Sequence, residues 1–233
     1  MGVEVAETKT IQFEEPSVII MPFEKTQEFY IEKLPELPPK YAYRCAKRIF
    51  DILFAVLGLL IAAIPVAVIA VIVKCTSPGP ALYFQQRLGE KGKPFNIIKF
   101  RTMCDDAEKN GACWSEGDDD PRITPVGMFL RKCRLDELPQ LINVLMGDMS
   151  FVGPRPERKC FYEAFEEYIH GFSQRLEIKP GITGLAQVSG GYDLKPEEKV
   201  LYDIEYIKKR TFWLDIKILF KTVLVVFNHQ GAK

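Results

Sequence analysis

The architecture of this chain is set by one apolar segment: residues 49–73 read IFDILFAVLGLLIAAIPVAVIAVIV. Asp51 is the only charged residue within it and lies near its start. A helix rises about 1.5 Å per residue, so this segment would be about 37 Å long, whereas the hydrocarbon core of a bilayer is about 30 Å thick. Helices this long and apolar are rare in soluble proteins. We therefore predict a membrane segment over residues 43–78.

Two features of the segment favour a re-entrant helix hairpin over a simple span. Pro65 removes a backbone hydrogen bond in the second half of the run and predicts a kink. Basic residues flank both ends, so both ends satisfy the positive-inside rule if they face the cytoplasm. These residues are Arg44, Lys47 and Arg48 before the run, and Lys74, Arg87, Lys91 and Lys93 after it. A kinked span is the alternative that the residues leave open, because proline is tolerated in spanning helices.

The composition argues against several function classes. Lys plus Arg and Asp plus Glu each number 31, so the net charge is +0 and nothing indicates nucleic-acid binding. The six cysteines form no C-x-x-C pair, which predicts free thiols in a reducing compartment rather than disulfides or a zinc site. The phosphate-loop, dinucleotide-binding and hydrolase-elbow motifs are absent from the sequence. The acidic, proline-bearing start lacks the pattern of a cleavable signal peptide.

The chain is predicted to have three parts. Residues 1–42 form an N-terminal appendage and linker, which its prolines make extended. The membrane segment over 43–78 follows it. Residues 79–233 form a catalytic domain at the cytoplasmic face of the membrane, and the C-terminal helix of this domain lies in the interface.

The catalytic part begins with a predicted β-hairpin. Residues 81–87 and 94–101 are rich in aromatic and β-branched side chains, and a glycine-bearing turn at 89–92 joins them. Residues 104–121 are polar, acidic and glycine-bearing, which predicts a mobile loop.

Two short helices are predicted next. Thr124 is suited to cap a helix that begins with Pro125 and runs to about Cys133. A second helix begins with Asp136 as its N-cap and ends at Gly147.

The C-terminal region is predicted to hold two more helices, over 197–210 and 212–227. The second is apolar but carries Asp215, Lys217 and Lys221, so it is expected to lie in the membrane interface. Packing on the soluble core is the alternative that the residues leave open. The predicted fold class is α+β, mainly helical with a small β-hairpin, a re-entrant membrane helix hairpin and interfacial amphipathic helices.

One group of side chains is suited to phosphate chemistry. Asp136 and Glu137 are adjacent acids, with Arg131 and Arg134 before them and Arg155 between two prolines after them. Asp136 has a simple structural explanation, since an aspartate N-cap stabilises a helix by about 1 kcal/mol. The arginines favour a second role, because guanidinium groups suit phosphate oxygens. A carboxylate beside a bound phosphate either attacks phosphorus or holds a divalent cation.

Lys99 and Arg101 add two more positive charges near the predicted hairpin. Residues two apart in an extended strand share a face, so we expect both side chains to point to one site. A solvated or headgroup-facing basic strand is the alternative that the residues leave open.

Five motifs occur in this order: KRIFD at 47–51 followed by the apolar run with Pro65, KFRTM at 99–103, LDELPQ at 135–140, GDMSFVGPRP at 147–156 and KPGITG at 179–184. In this combination the chain resembles the bacterial sugar transferase family, the monotopic phosphoglycosyl transferases also called undecaprenyl-phosphate sugar phosphotransferases. The resemblance covers roughly residues 43–227 and leaves residues 1–42 outside. The combination is far more specific than any single motif. The acidic pair and the Pro-Arg-Pro motif match the family pattern.

The resemblance implies an activity and a mechanism. Members of the family transfer a phospho-sugar from a UDP-sugar to a polyprenol (undecaprenyl) phosphate. This is the first membrane step in the synthesis of a surface glycan: exopolysaccharide, capsule, O-antigen or glycoprotein. By resemblance, Asp136 is the nucleophile, forms a phosphosugar-aspartyl intermediate and expels UMP. Glu137 and a Mg²⁺ ion assist, which makes Asp136 and Glu137 the candidate metal ligands.

The resemblance also implies a location and partners. Arg131 and Arg155 match the family's phosphate contacts, and Lys99 and Arg101 are our further candidates for phosphate binding. The membrane segment is re-entrant with its break at Pro65, in the bacterial inner (cytoplasmic) membrane, and the active site lies on the cytoplasmic face. The expected partners are a UDP-sugar, the polyprenol phosphate lipid and the membrane, but no nucleic acid. A homo-oligomer and downstream glycosyltransferases are left open.

Two other functions are kept as alternatives. The first is a non-catalytic, membrane-anchored scaffold of the same fold. The second is a soluble-type phosphotransferase that uses the apolar run only as an anchor. Sugar specificity is expected to lie in residues such as 104–121 and 185–198.

Overall fold

Most of the regular structure is helical, as predicted. The computed structural model describes residues 19–20, 28–109, 112–113, 120–190 and 194–227. In chain order the elements are β1 (Ile19–Ile20), β2 (Phe29–Tyr30), α1 (Tyr41–Thr76), β3 (Leu82–Leu88), β4 (Pro94–Phe100), β5 (Ala112–Cys113), α2 (Pro125–Lys132), α3 (Gln140–Met146), β6 (Ser150–Val152), α4 (Lys159–Glu166), β7 (Ile169–His170), β8 (Gly181–Thr183), α5 (Leu185–Ser189), α6 (Pro196–Lys209) and α7 (Phe212–Phe227).

The predicted β-hairpin is confirmed. β3 and β4 pair antiparallel, with Leu82 opposite Phe100 and Leu88 opposite Pro94. The other strand pairs of the described chain are parallel and short: β1 with β5, β2 with β7, and β6 with β8. The hairpin is therefore the longest sheet element there, and it forms one wall of the cleft described below.

α1 carries the apolar segment and exposes most of it. By length and composition, this helix is long and apolar enough to cross a membrane. Leu60 is 71% exposed and Ile64 is 77% exposed. A continuous apolar surface of this size is unfavourable in water and marks an interaction with lipid or another apolar partner. α1 is helical through Pro65, so a break of the segment at this proline stays a prediction.

Both arms of α1 pack against the same globular body. Ala55 lies in a buried cluster with Val144 of α3. Val73, near the other end of the helix, lies in a cluster with Phe100 of β4. The apolar helix is therefore attached to the rest of the chain on both sides of Pro65.

Asp51, the charged residue of the apolar run, is tolerated there because other residues hydrogen-bond to its carboxylate. It is 3% exposed and accepts hydrogen bonds from Ser150 Oγ and Phe151 N, both at 3.1 Å. A buried carboxylate is tolerated when such partners replace water. The charge therefore joins α1 to β6.

The predicted start of the first short helix and the predicted end of the second are confirmed. Thr124 caps α2, because its side chain accepts a 2.9 Å hydrogen bond from Gly127 N. α3 ends at Gly147, which adopts a left-handed conformation with φ 96°.

The prediction that Asp136 caps the second helix is wrong. Arg134 adopts a left-handed conformation with φ 55°, and Leu135–Glu137 then forms a 3₁₀ turn before α3 begins. The physical reason is that the left-handed Arg134 starts the turn ahead of Asp136, so Asp136 lies inside the 3₁₀ turn and lacks the extended backbone that an N-cap residue adopts. The turn closes through a bond between residues three apart, from Leu138 N to Leu135 O.

The two predicted C-terminal helices are also confirmed. On α7, Asp215 and Ile218 are buried against the body, whereas Trp213 and Phe220 are 75% and 71% exposed. One face of α7 thus packs on the core, and its opposite face carries the exposed apolar groups expected of an interfacial helix.

The described part of the N-terminal region lies against the body. β2 pairs with β7, and Leu34 and Leu37 pack on the main core cluster, which contains Phe165 and Phe172. The remainder of the predicted appendage, and much of the predicted mobile loop at 104–121, lies outside the described residues.

Candidate active site

A cleft of about 180 Å³ opens between the β-hairpin, the 3₁₀ turn and the segment 155–158. Basic side chains outnumber acidic ones in its lining by two to one, so an anionic ligand is favoured. The basic residues are Arg87, Lys99, Arg122, Arg131, Arg134, Arg155, Arg158 and Lys199, and the acidic residues are Glu108, Asp136, Glu137 and Glu157.

The structure brings together nearly all of the predicted site residues. Asp136, Glu137, Lys99, Arg131 and Arg155 all line this cleft. They come from β4, the last turn of α2, the 3₁₀ turn and the proline-flanked segment, so the cleft is assembled by packing rather than by one local motif.

The segment that carries Arg155 is held by its own backbone. Four successive carbonyls accept hydrogen bonds: Pro154 from Gly181 N (2.9 Å), Arg155 from Arg175 Nη2 (3.0 Å), Pro156 from Arg87 Nη1 (3.3 Å) and Glu157 from Leu88 N (3.0 Å). The flanking prolines restrict the backbone further. Arg155 therefore enters the cleft from a rigid support, which reduces the entropy lost when it binds a ligand.

The two adjacent acids have different electrostatic environments. Glu137 Oε1 accepts a 2.6 Å hydrogen bond from Arg155 Nη2. Burial alone would raise the pKa of Glu137, but the charge and hydrogen bond of Arg155 hold that pKa below its usual range. Burial, and then the charge of Glu137, raises the pKa of Asp136 to about 6. Glu137 is therefore the more acidic residue of the pair and the one that carries the negative charge first as pH rises.

Lys99 lies in the cleft, and Arg101 does not. Burial and the charge of Arg87 lower the pKa of Lys99 to about 8. Arg101 Nη2 instead donates to the carbonyl and the hydroxyl of Ser77, both at 2.8 Å. The expected common face fails for Arg101 because β4 ends at Phe100, so the strand alternation stops before it.

Several basic groups of the cleft were not predicted from the sequence. Arg87 could have been identified from the strand pattern. Gln85 and Arg87 lie two residues apart on β3 and so share a face of the hairpin. Gln85 pairs with Ile97, which shares that face with Lys99. Arg122, Arg158 and Lys199 had no comparable local pattern, since they enter the cleft from separate parts of the chain.

The cleft also offers oxygen ligands for Mg²⁺. Among the described residues, no three His, Cys, Asp or Glu side chains form a ready metal site. Mg²⁺ does not require one, because it often binds one or two carboxylates together with substrate phosphates and water. Asp136 and Glu137 supply such a carboxylate pair, so the donor set fits Mg²⁺ in the presence of a phosphate ligand.

A second cavity, of about 220 Å³, adjoins the acidic pair on the side of α7. It shares Arg134 and Glu137 with the cleft, and most of its remaining lining is apolar. The apolar residues are Leu138, Leu141, Phe151, Ile182, Val188, Val225 and Val226. A larger cavity, of about 840 Å³, lies between residues 33–40 and the start of α1 and does not include the acidic pair.

The fold and the cleft define a protein with a mainly basic cleft, which suits an anionic ligand, and an exposed apolar helix. The family described as "Bacterial sugar transferase" matches residues 42–229. The chain belongs to this family, which confirms the resemblance found in the sequence.

Three curated relatives illustrate the similarity. The chain is 40% identical to a UDP-N-acetylgalactosamine-undecaprenyl-phosphate N-acetylgalactosaminephosphotransferase of Aeromonas hydrophila, over 90% of this chain and 50% of that protein. It is 43% identical to a UDP-glucose:undecaprenyl-phosphate glucose-1-phosphate transferase of Escherichia coli (strain K12), over 85% and 44%. It is 49% identical to a putative undecaprenyl-phosphate N-acetylgalactosaminyl 1-phosphate transferase of Bacillus subtilis (strain 168), over 65% and 86%. The chain thus spans about half the length of the first two.

Proposed function

We propose that this chain transfers a phospho-sugar from a UDP-sugar to a polyprenol phosphate such as undecaprenyl phosphate, through a covalent intermediate on Asp136. The observation that carries the proposal is the pairing of Asp136 and Glu137 in a cleft where basic groups outnumber acidic ones by two to one. The names of the relatives, which join sugar phosphotransfer to undecaprenyl phosphate, support the same substrate classes. The product would begin a surface glycan on its lipid carrier.

The reaction proceeds in two displacements at one phosphorus atom. In the first, a carboxylate oxygen of Asp136 attacks the sugar-bearing phosphorus, the phosphoanhydride bond breaks, and its electron pair leaves with UMP. In the second, a phosphate oxygen of the lipid attacks the same phosphorus and the Asp136 carboxylate leaves. The two-step route avoids a direct encounter of two anionic substrates, because UMP departs before the lipid reacts.

The surrounding groups of the cleft support this chemistry. Arg155 sits on its rigid segment and is suited to grip phosphate oxygens with its planar guanidinium group. Arg131 and Lys99 add charge on the same cleft. Asp136 and Glu137 would hold Mg²⁺ with the donor phosphates. When bound there, Mg²⁺ neutralises charge on the phosphate oxygens.

The apolar cavity beside Glu137 supports a lipid acceptor. Its lining suits an isoprenoid chain, and its polar end at Arg134 and Glu137 joins the cleft. The phosphate of a lipid bound at this junction would lie beside the acidic pair, Asp136 and Glu137, while the isoprenoid chain of the lipid stays in an apolar environment. This arrangement fits a site at the headgroup level of the bacterial inner membrane.

The contacts of α1 support a re-entrant segment with both ends at the cytoplasmic face. A straight helix from Arg48 to Val73 would be about 37 Å long. At its start, Arg48 donates to the carbonyls of Val144 (2.6 Å) and Leu145 (2.8 Å). At its end, Val73 packs with Phe100. One small domain that contacts both ends is expected on one side of the bilayer.

The topology is tested with two native cysteines. Cys45 and Cys75 are exposed and flank the apolar run. Variants that retain only one of them would be treated with a membrane-impermeant maleimide in spheroplasts and in inverted vesicles. We expect both to react only in inverted vesicles. Reaction of the two cysteines from opposite sides would establish a span instead.

The activity is tested with purified full-length chain in detergent or nanodiscs, Mg²⁺, undecaprenyl phosphate and a panel of UDP-sugars. We expect UMP release with at least one donor. Without the lipid, intact-mass measurement should reveal a phosphosugar adduct on the protein. Mg²⁺ removal by chelation should suppress both signals. A chain that releases no UMP and stays unmodified with every donor would favour the non-catalytic scaffold.

A further inference from the structure

A small pocket adjoins the proposed phosphate cleft. Its volume is about 40 Å³, and it shares Arg134, Arg155, Glu157 and Lys199 with the cleft. A group in this pocket would therefore be within reach of a ligand whose phosphates lie on Arg155. The remaining lining residues are Arg175, Ala186, Gln187 and Asp203.

Gln187 brings an unmet amide group into this pocket. Its Nε2 and Oε1 atoms are both buried, and neither has a hydrogen-bond partner in the part of the chain that the structure describes. Gly184 makes room for the side chain, since a Cβ atom at position 184 would lie 2.6 Å from Gln187 Oε1. Buried amides without partners are rare in native proteins, so this one requires a physical explanation.

Asp203 adds a fixed acceptor to the same pocket. It is 1% exposed, and its Oδ2 atom accepts a 2.7 Å hydrogen bond from Arg175 Nε. Its Oδ1 atom is buried without a partner among the described residues. Arg175 also donates to the backbone carbonyl of Arg155. Arg175 thus fixes the carboxylate of Asp203 relative to the segment that carries Arg155, the residue proposed to bind phosphate.

We propose that this pocket recognises hydroxyl groups on the sugar of the donor. A hydroxyl both donates and accepts, which matches the amide of Gln187 and the free oxygen of Asp203. The volume suits one or two such groups, so the sugar ring itself would remain in the cleft. This inference rests on the proposed function, because it requires a sugar joined to the bound phosphates.

The experiment is a double-mutant cycle in which one change is a substitution at Gln187 and the other is removal of a hydroxyl group from the donor sugar. Gln187→Leu keeps the side-chain size and removes its hydrogen bonds. UMP release would be measured in single turnovers without lipid acceptor, using the best UDP-sugar and its monodeoxy analogues. We expect the wild type to be about 10- to 100-fold slower with one analogue. Gln187→Leu should be slower with the parent donor and should treat both donors within about twofold.

One control variant and three possible outcomes decide the proposal. Gln86→Leu makes the same change at an exposed position of β3 and should behave as the wild type. An equal slowing of parent and deoxy donors by Gln187→Leu would assign Gln187 a structural role and overturn the proposal. Unchanged rates would mean that only water occupies the pocket, which also overturns it. Absence of UMP release by the wild type with every donor would overturn the proposed function and this inference together.

A binding measurement keeps the proposal testable without turnover. In an Asp136→Asn background, UDP-sugar should raise the midpoint of thermal unfolding more than UDP does, because only UDP-sugar carries the group for the pocket. Adding Gln187→Leu should preserve the shift with UDP and remove the additional shift with UDP-sugar. An additional shift that survives the substitution would overturn the proposal.

Discussion

Two regions of the molecule hold an aspartate on a helical segment, and they use it in opposite ways. On α1, Asp51 is buried and accepts two hydrogen bonds, from Ser150 Oγ and Phe151 N. On the 3₁₀ turn, Asp136 is half-buried, lies among basic side chains and makes no side-chain hydrogen bond within the described residues. The first carboxylate has its partners in the protein, whereas the second is available to a ligand.

This difference reverses what each residue suggests in isolation. A lone charge in an apolar run is unusual and often functional in a membrane segment, yet Asp51 joins two elements of the fold. An aspartate at the predicted start of a helix is usually a cap, yet Asp136 caps nothing. The number of hydrogen bonds already made by a carboxylate therefore separates structure from chemistry here better than its position in the sequence.

The largest expected effect is on activity, at Asp136. We expect Asp136→Asn to lower UMP release at least about a thousandfold, because an amide is a poor nucleophile toward phosphorus. The midpoint of thermal unfolding should stay close to that of the wild type, since no hydrogen bond within the described residues is lost. Glu163→Gln, the same acid-to-amide change at an exposed site of α4 outside the cleft, is the control. Wild-type UMP release by Asp136→Asn would remove the nucleophile assignment.

The complementary change at Asp51 should act on stability. Asp51→Ala leaves the buried Phe151 N–H without its acceptor, which costs about 1–3 kcal/mol. For a chain of this size, the midpoint of thermal unfolding in detergent should fall by roughly 2–12 °C. Asp51→Asn retains an oxygen acceptor and should recover much of the loss. An Asp51→Ala variant as stable as the wild type would contradict the structural role.

Local structure was predictable wherever a single residue determines it. Thr124 and Gly147 delimited their helices correctly, and alternating side chains identified the β-hairpin. The start of the second helix was missed because Asp136 has the chemistry of a cap but lies inside a 3₁₀ turn. That turn begins after the left-handed Arg134, and no local sequence signal marks this conformation of Arg134.

The sequence identified five residues that the structure brings together in the cleft, but not the full lining of the cleft. The motifs identified the acidic pair and Arg155, which carry the most distinctive patterns. Arg101 points away from the cleft because it hydrogen-bonds to Ser77, which is 24 residues away along the chain. Asp51 has a structural role because it hydrogen-bonds to Ser150, which is 99 residues away. Such partners are set by long-range packing, which neither spacing nor periodicity encodes.

A smaller effect is expected from a change of shape at constant charge. Arg155→Lys keeps the positive charge but loses the planar group that binds Glu137 and suits phosphate oxygens. We expect kcat/KM for the UDP-sugar to fall about 10- to 100-fold, in line with the loss of one or two charge-assisted hydrogen bonds. Arg44→Lys, whose partner Glu90 lies outside the cleft, is the matched control and should change kcat/KM less than about twofold. Full activity in Arg155→Lys would mean that Arg155 contributes charge alone.

The smallest expected effect is a pH dependence from Lys99. Its pKa is lowered to about 8, so it is charged below this pH and neutral above it. Because kcat/KM reports the free enzyme, it should fall by up to about tenfold between pH 7 and 9 as the cleft loses one positive charge. Lys99→Arg keeps its charge throughout this range and should remove that part of the decline. If the wild type and Lys99→Arg decline in parallel, another group controls the alkaline limb and Lys99 does not help to bind the donor. The arginines alone would then supply the positive charge that distinguishes the surroundings of Asp136 from those of Asp51.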